Sequence, residues 1–218
     1  MKTNILKRLK IQAEESSKYK KGDFGYWWTV EKGNEDIEGK VYEGSISCSN
    51  NKITSLKGCP KKINGSFDCS VNKLTSLEGG PKEITRDFEC YKNKLTSLEG
   101  GPERVGDSFF CSNNKLTSLE GCPRVGRHFS CSYNNLTSLE GAPEKAGWSF
   151  DCSHNNLTSL EGAPEKAGWH FDCSNNSLTS LKGCPKKVGG TFDCHDNKKE
   201  FTREEVEEVC KVNGNISV

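Results

Sequence analysis

Hydrophobic and polar residues alternate over short stretches of the chain, and this alternation returns at a nearly constant interval. In every stretch but one, a polar residue separates an apolar residue, nearly always phenylalanine, from a cysteine; the exception has Phe110 between them. This is the pattern of a strand with one buried face. Eight cysteines mark the stretches at intervals of 21, 21, 21, 20, 21, 21 and 21 residues: Cys48, Cys69, Cys90, Cys111, Cys131, Cys152, Cys173 and Cys194. Strands this short are unstable alone, so the interval predicts one strand per turn of a stack, paired in a parallel sheet.

Other positions of the unit repeat with the same period. Glycine and proline follow the last leucine of each unit and break helices, so the return path is predicted to be extended or turn-like. An asparagine stands three residues after each cysteine: Asn51, Asn72, Asn93, Asn114, Asn134, Asn155, Asn176 and Asn197. Because backbone groups at a sharp bend need partners, we expect each asparagine amide to bond the backbone of its own and neighbouring turns.

Two adjacent units are nearly identical. Residues 131–151 and 152–172 differ only where Tyr133 is replaced by His154 and Ser149 by His170. These differences fall on or beside the predicted strands, which indicates a duplication followed by change on the strand face.

The repeated unit resembles the leucine-rich-repeat family, whose signature is L-x-x-L-x-L-x-x-N-x-L. Phenylalanine takes the place of the strand leucine, and cysteine takes the next inward position. The resemblance covers residues 44–200 and is to the short type found in bacterial and bacteriophage proteins. It departs from the family in the Gly-x-Pro after the second leucine. It implies a curved right-handed solenoid of eight rungs, α/β or mainly β, with a parallel sheet of roughly 35 Å on a concave face that binds partners.

The chain is predicted to consist of a repeat array, 44–200, between two caps that cover its apolar ends. Residues 1–43 form the N-terminal cap, with an amphipathic helix around Ile5–Ile11 and aromatic strands between Phe24 and Tyr42. Residues 201–218 form a C-terminal capping helix and tail. Thr202 and Glu205 make a capping box, and Val206, Val209 and Cys210 are expected to face the last rung. Whether Trp27 and Trp28 also contact a partner stays open.

Composition and charge narrow the class of protein. Hydrophobic residues are 32% of the chain and the mean hydropathy is −0.74, which suits a solenoid with a narrow buried stripe. The net charge of +1 gives no general attraction to nucleic acid or an anionic membrane. The N-terminal sequence has no secretory h-region, so a cytoplasmic protein is expected, in the host-cell cytoplasm if a phage encodes it.

The cysteines allow three interpretations: disulfides, a metal site, or packing. Parallel side chains on adjacent rungs suit a disulfide poorly, and no close cysteine pair typical of zinc sites occurs. We therefore expect reduced cysteines that pack as small apolar side chains, with no metal and no cofactor.

Candidate functional residues lie on or beside the predicted strands, on the outward side. They are charged and aromatic, as expected of a protein interface. The set, centred on the rungs from Phe110 to His170, comprises Arg86, Glu89, Tyr91, Lys92, Phe110, Arg127, His128, Tyr133, Trp148, Asp151, His154, Trp169, His170, Asp172 and His195. A metal or hydrolytic site of His154, His170, Asp172 and His195 is the enzymatic alternative, but no nucleophile has an orienting base.

These observations predict a non-catalytic protein-binding module. The resemblance suggests a phage or bacterial accessory protein that binds and inhibits or modulates a host protein. The alternatives are a structural or assembly component that self-associates and an effector-like targeting domain. A monomer or weak homo-oligomer is expected, with a protein partner and neither nucleic acid nor membrane.

Overall fold

A parallel β-solenoid of about eight turns forms the body of the protein in a computed structural model that describes residues 18–218. One two-residue strand from each turn enters a nine-stranded parallel sheet, which we call the main sheet. Its strands are Ile46–Ser47, Phe67–Asp68, Phe88–Glu89, Phe109–Phe110, Phe129–Ser130, Phe150–Asp151, Phe171–Asp172, Phe192–Asp193 and Ile216–Ser217. The predicted stack of parallel strands with turns of about 21 residues is confirmed.

A second row of strands runs along the side of the stack, and it is interrupted. A five-stranded side sheet contains Val41–Glu43, Lys62–Asn64, Glu83–Ile84, Arg104–Val105 and Arg124–Val125. A three-stranded side sheet contains Lys166–Ala167, Lys187–Val188 and Lys211–Val212, with an isolated bridge from Ala146 to Ala167.

The interruption coincides with the single 20-residue turn. One residue, Arg124, separates Pro123 from the buried Val125, whereas two residues separate Pro102 from Val105. The shortened segment does not pair with the next turn, and a cleft of about 520 Å³ opens between Cys122–Val125 and Ala142–Lys145.

The core is a set of columns, one residue per turn. From Phe67 to Phe192, the phenylalanine two residues before each repeat cysteine is buried, and the ring centroids of neighbours lie between 5.2 and 5.9 Å apart. All twelve cysteines are free, and ten of them are buried. Burial raises the pKa of the Cys111 and Cys152 thiols well above their usual range. The prediction that the cysteines pack in the core rather than form disulfides is confirmed.

The asparagine ladder bonds turn to turn as predicted. The Oδ1 atom of Asn72 accepts from the backbone N–H of Asn51 at 3.0 Å and of Ile53 at 2.9 Å, both in the preceding turn. Its Nδ2 atom donates to the carbonyls of Cys48 and Cys69, at 2.9 and 3.0 Å. Each amide thus joins two turns where the backbone leaves the strand.

The N-terminal cap corrects one prediction and leaves another outside the described residues. The predicted helix around Ile5–Ile11 lies outside them. Where strands were predicted, Phe24–Tyr26 is α-helical and Trp27–Glu31 is a π-helical turn. With this helical backbone, the ring centroid of Phe24 lies 5.8 Å from that of Trp28 and 6.1 Å from that of Phe67. One aromatic cluster thus covers the N-terminal end of the stack.

The C-terminal end also differs from a simple helical cap. Arg203–Val209 is a short helix with the predicted capping box of Thr202 and Glu205, and Val206 is buried. Val209 is 48% exposed, so it is not buried at the end of the stack as Val206 and Cys210 are. The tail adds Lys211–Val212 to the three-stranded side sheet and Ile216–Ser217 to the main sheet. Its extended backbone supplies hydrogen-bond partners for the open edge of each parallel sheet. Within residues 18–218 the predicted helical caps are therefore not what is seen: the N-terminal helical segment is short, and strands as well as a short helix close the C-terminal end.

No helix in the described part of the chain combines the length and apolarity needed to cross a bilayer.

Candidate functional site

The outer surface of the main sheet carries one row of side chains across all nine strands. The residue before each cysteine points to this surface, and strand register aligns these residues from turn to turn. The row reads Ser47, Asp68, Glu89, Phe110, Ser130, Asp151, Asp172, Asp193 and Ser217. The predicted residues Glu89, Phe110, Asp151 and Asp172 are therefore brought into line, about 4.8 Å apart per turn.

Serine two residues further on holds the aspartates of this row in place. The Oδ1 atom of Asp151 accepts from the backbone N–H of Ser153 at 3.0 Å and from its hydroxyl at 2.7 Å. Asp172 accepts from Ser174 at 2.9 and 2.7 Å in the same way. In the last turn His195 replaces the serine, and its Nδ1 atom lies 2.5 Å from Oδ1 of Asp193.

Burial and neighbouring carboxylates raise the pKa of two acidic residues in this row. Burial raises the pKa of Asp172, and the neighbouring charges of Asp151 and Asp193 raise it further against the opposing effect of its Ser174 hydrogen bonds. Burial and nearby acidic residues also raise the pKa of Glu89. The hydrogen bond to Asp193 raises the pKa of His195.

A second row lies four residues before each cysteine, where the chain turns into the strand. It contains the predicted residues Arg86, Arg127, Trp148 and Trp169. Trp148 and Trp169 are 53% and 56% exposed, and the backbone N–H of Trp169 donates to the carbonyl of Trp148 at 2.6 Å. The two indoles thus stand on adjacent turns of a rigid sheet.

A guanidinium and an imidazole lie beside Trp148, and an imidazole lies beside Trp169. The Arg127 guanidinium lies 5.7 Å from the centre of the Trp148 ring, and the edge of His128 approaches the same ring at 5.3 Å. Arg127 also pairs with Asp107 at 3.1 Å. On the next turn, His170 makes an edge contact with Trp169 at 5.4 Å.

A ridge of left-handed residues borders the face on the other side of the strands. The residue two after each cysteine has φ between 52° and 57°, and Lys92, Tyr133 and His154 are in this ridge. Tyr133 is 51% exposed, and its ring stacks on His154 with centroids 4.0 Å apart. These three residues therefore lie in the turn after the strand.

The predicted residues do not all form one cluster. Arg86, Glu89, Tyr91 and Lys92 belong to one turn near the N-terminal end of the sheet. Arg127 and the later residues form a continuous surface over four turns, which we call the Trp/Asp face: Arg127, His128, Tyr133, Trp148, Asp151, His154, Trp169, His170, Asp172, Asp193 and His195.

The structure does not bring the histidines of the predicted metal or hydrolytic site together. His154 stacks on Tyr133, the Nδ1 atom of His170 accepts from the N–H of Thr191 at 3.1 Å, and His195 is engaged by Asp193. Across residues 18–218 no group of three or more histidine, cysteine or acidic side chains is arranged to hold a metal ion.

Sequence reasoning missed the residues that fix the face. Ser153 and Ser174 orient the aspartates, and Asp107 anchors Arg127. The signal for the serines was present, because an aspartate stands two residues before a serine in three turns that share the same motif.

The sequence matches no protein-family model and no curated protein. Fold and surface chemistry therefore carry the functional argument.

Proposed function

We propose that this chain is a non-catalytic protein-binding module of the leucine-rich-repeat type, and that its partner lies across the Trp/Asp face. The observation that carries the proposal is the exposure of Trp148 and Trp169, at 53% and 56%, on adjacent turns. Large aromatic side chains in the middle of protein interfaces contribute a disproportionate share of the binding free energy.

Rigidity of the platform supports the proposal. The backbone that presents both indoles is bonded from turn to turn, through Trp148 to Arg127 at 3.1 Å and through Trp169 to Trp148. A partner therefore meets rings whose backbone loses little conformational freedom on binding. Nine strands at about 4.8 Å give a face roughly 38 Å long, which is enough for a protein interface of standard size.

The biological setting follows from the resemblance of the repeats. Short repeats of this type occur in bacterial and bacteriophage proteins, and an accessory protein that inhibits or modulates a host protein by binding is the setting we propose. In this proposal the main sheet is the concave side that the resemblance implies.

Photo-crosslinking tests the placement of the partner. A benzophenone amino acid is introduced at position 148 or 169, or as a control at the exposed Lys187 on the side sheet, in cells that contain the partner. We expect one protein to be captured from 148 and 169 and not from 187. The purified partner should then bind Trp148→Ala/Trp169→Ala at least tenfold more weakly, with an unchanged melting temperature because both indoles are exposed. Unchanged affinity would refute the proposal.

A further inference from the structure

Charge is distributed unevenly along the main-sheet face. From four residues before the cysteine to two after it, the turns of Cys69, Cys90, Cys111 and Cys131 carry four acidic and three basic residues. The same positions in the turns of Cys152, Cys173 and Cys194 carry four acidic residues and no lysine or arginine: Asp151, Asp172, Asp193 and Asp196. No lysine or arginine balances the carboxylates of these three turns, although the whole chain has a net charge of only +1. His195 pairs with Asp193 and lies 3.5 Å from Asp196, whereas Asp151 and Asp172 have no ion-pair partner within residues 18–218.

Two aspartates of these turns, Asp172 and Asp193, have a carboxylate oxygen that accepts no hydrogen bond within residues 18–218. One oxygen of Asp172 is held by Ser174 and one oxygen of Asp193 lies against His195. Asp151 differs, because its second oxygen accepts from the Ser130 hydroxyl at 2.7 Å.

The tryptophans provide an independent observation that points to a cation. On the first of the two duplicated units the Arg127 guanidinium stacks over Trp148 at 5.7 Å. On the second unit Trp169 has the edge of His170 beside it, and no lysine or arginine of the described chain lies over its ring. The duplication thus presents a second indole of the same kind without the cation that the first one holds.

We propose that the last three turns of the Trp/Asp face bind a segment of the protein partner that carries at least two lysine or arginine side chains. One cationic group stacks on Trp169, and another pairs with the free oxygens of Asp172 and Asp193. This inference rests on the proposed function and specifies the chemistry of the partner. The same charges repel the phosphates of a nucleic acid.

A labelled peptide tests this chemistry directly. The probe is a fluorescein-labelled twelve-residue peptide with four arginines spaced by glycine and serine, and binding to the full chain is followed by fluorescence anisotropy at about 0.15 M salt, where long-range attraction is screened. Analogues with glutamine or glutamate in place of arginine are the peptide controls. We expect saturable binding of the arginine peptide, at least tenfold weaker binding of both analogues, and loss of affinity with increasing salt.

Two sets of variants locate the site. Asp172→Asn/Asp193→Asn keeps an oxygen acceptor for Ser174 and His195, and it should weaken arginine-peptide binding at least tenfold; Trp169→Ala should weaken it about fivefold. Glu99→Gln/Glu120→Gln removes the same charge from exposed positions away from this face and should change affinity less than twofold. Circular dichroism confirms that each variant is folded. Equal losses in the two double variants, or no saturable binding, would overturn the inference.

The captured partner separates this inference from the proposed function. If the partner binds Asp172→Asn/Asp193→Asn as tightly as the original chain but binds Trp148→Ala/Trp169→Ala weakly, the basic-segment inference fails and the proposed function stands. If neither variant weakens the partner, both fail. Weakening by both variants, with crosslinks from position 169 to a lysine- or arginine-bearing segment, supports both.

Discussion

Asn134 lies in the middle of the stack, and its replacement by alanine removes a link between two turns. Its Oδ1 atom accepts from the N–H of Leu116 at 3.0 Å, and its Nδ2 atom donates to the carbonyls of Cys111, Cys131 and Ser132 at 3.2, 2.9 and 3.3 Å. Asn134 is only 7% exposed, so water cannot readily replace these partners.

The expected loss follows from the groups left without partners. The buried N–H of Leu116 loses its acceptor, which costs about 1–3 kcal/mol, and the carbonyls of Cys111 and Cys131 each lose a donor at a smaller cost. We expect Asn134→Ala to lower the free energy of unfolding by about 3 kcal/mol. For a chain of this size that corresponds to a fall of roughly 6–12 °C in the melting temperature.

Urea denaturation followed by far-UV circular dichroism measures the effect, with Asn135→Ala as the matched control. Asn135 is the next residue and is exposed, and its backbone N–H bond to Leu116 is unaffected by the change. The control should stay within about 0.5 kcal/mol of the original chain. If the two variants lose equal stability, the ladder does not join the turns as described.

Four further predictions concern strain, the sheet interruption, charge and the cysteines. Val71→Asn should raise the free energy of unfolding by about 1 kcal/mol, because a β-branched residue at φ 54° is strained and asparagine tolerates this region. Insertion of one residue between Pro123 and Arg124 should slow amide hydrogen exchange at Gly147 by extending the side sheet across the interruption. Asp172→Asn should raise the melting temperature at pH 7, because a raised pKa means that ionisation of Asp172 opposes folding. That gain should decline once the pH falls below the pKa of Asp172 in the folded state, and it should be lost below the pKa of this group in the unfolded chain. At most two thiols should react readily with DTNB in the native state, and all twelve after denaturation, because ten are buried.

Three of these predictions have a control variant, and the denatured protein is the control for the thiol reaction. Val41→Asn replaces a valine that is also exposed, 57% against 38% for Val71, but lies within a strand, so this change should not stabilise the protein. An insertion after Pro102 should destabilise, since that turn already has the full spacing. Glu120→Gln should leave the melting temperature unchanged, both at pH 7 and at a pH below the pKa of Asp172. A stabilising Val41→Asn, unchanged exchange at Gly147, a pH-independent Asp172→Asn gain, or rapid native reaction of many thiols would contradict the respective reasoning.

The repeat array was predictable because its contacts are periodic. Phe88 lies beside Phe67 and Phe109, one turn away on either side, so a residue's slot in the repeat also identifies its neighbours in space. The asparagine ladder and the packed cysteines follow from the same periodicity. The outward row from Asp68 to Asp193 was predictable for the same reason, since strand residues alternate between the two sides of a sheet.

Features without a repeat were not predictable in this way. The aromatic run from Phe24 to Trp28 suits a strand by composition, yet its backbone is helical, and Phe24 contacts Phe67 on the second strand of the main sheet. The tail from Lys211 to Ser217 has no repeat signature, and pairing with the open sheet edges makes it extended.

The turn length, the buried columns and the set of positions that face outward can be read from the sequence, because they depend on spacing along the chain and on contacts with adjacent turns. How the ends are closed, where the side sheet is interrupted, and which charges on the Trp/Asp face have a partner depend on tertiary contacts. Arg127 is balanced by Asp107, whereas Asp172 stands between two other aspartates. Such differences depend on side-chain geometry and burial across several turns, which spacing alone does not encode.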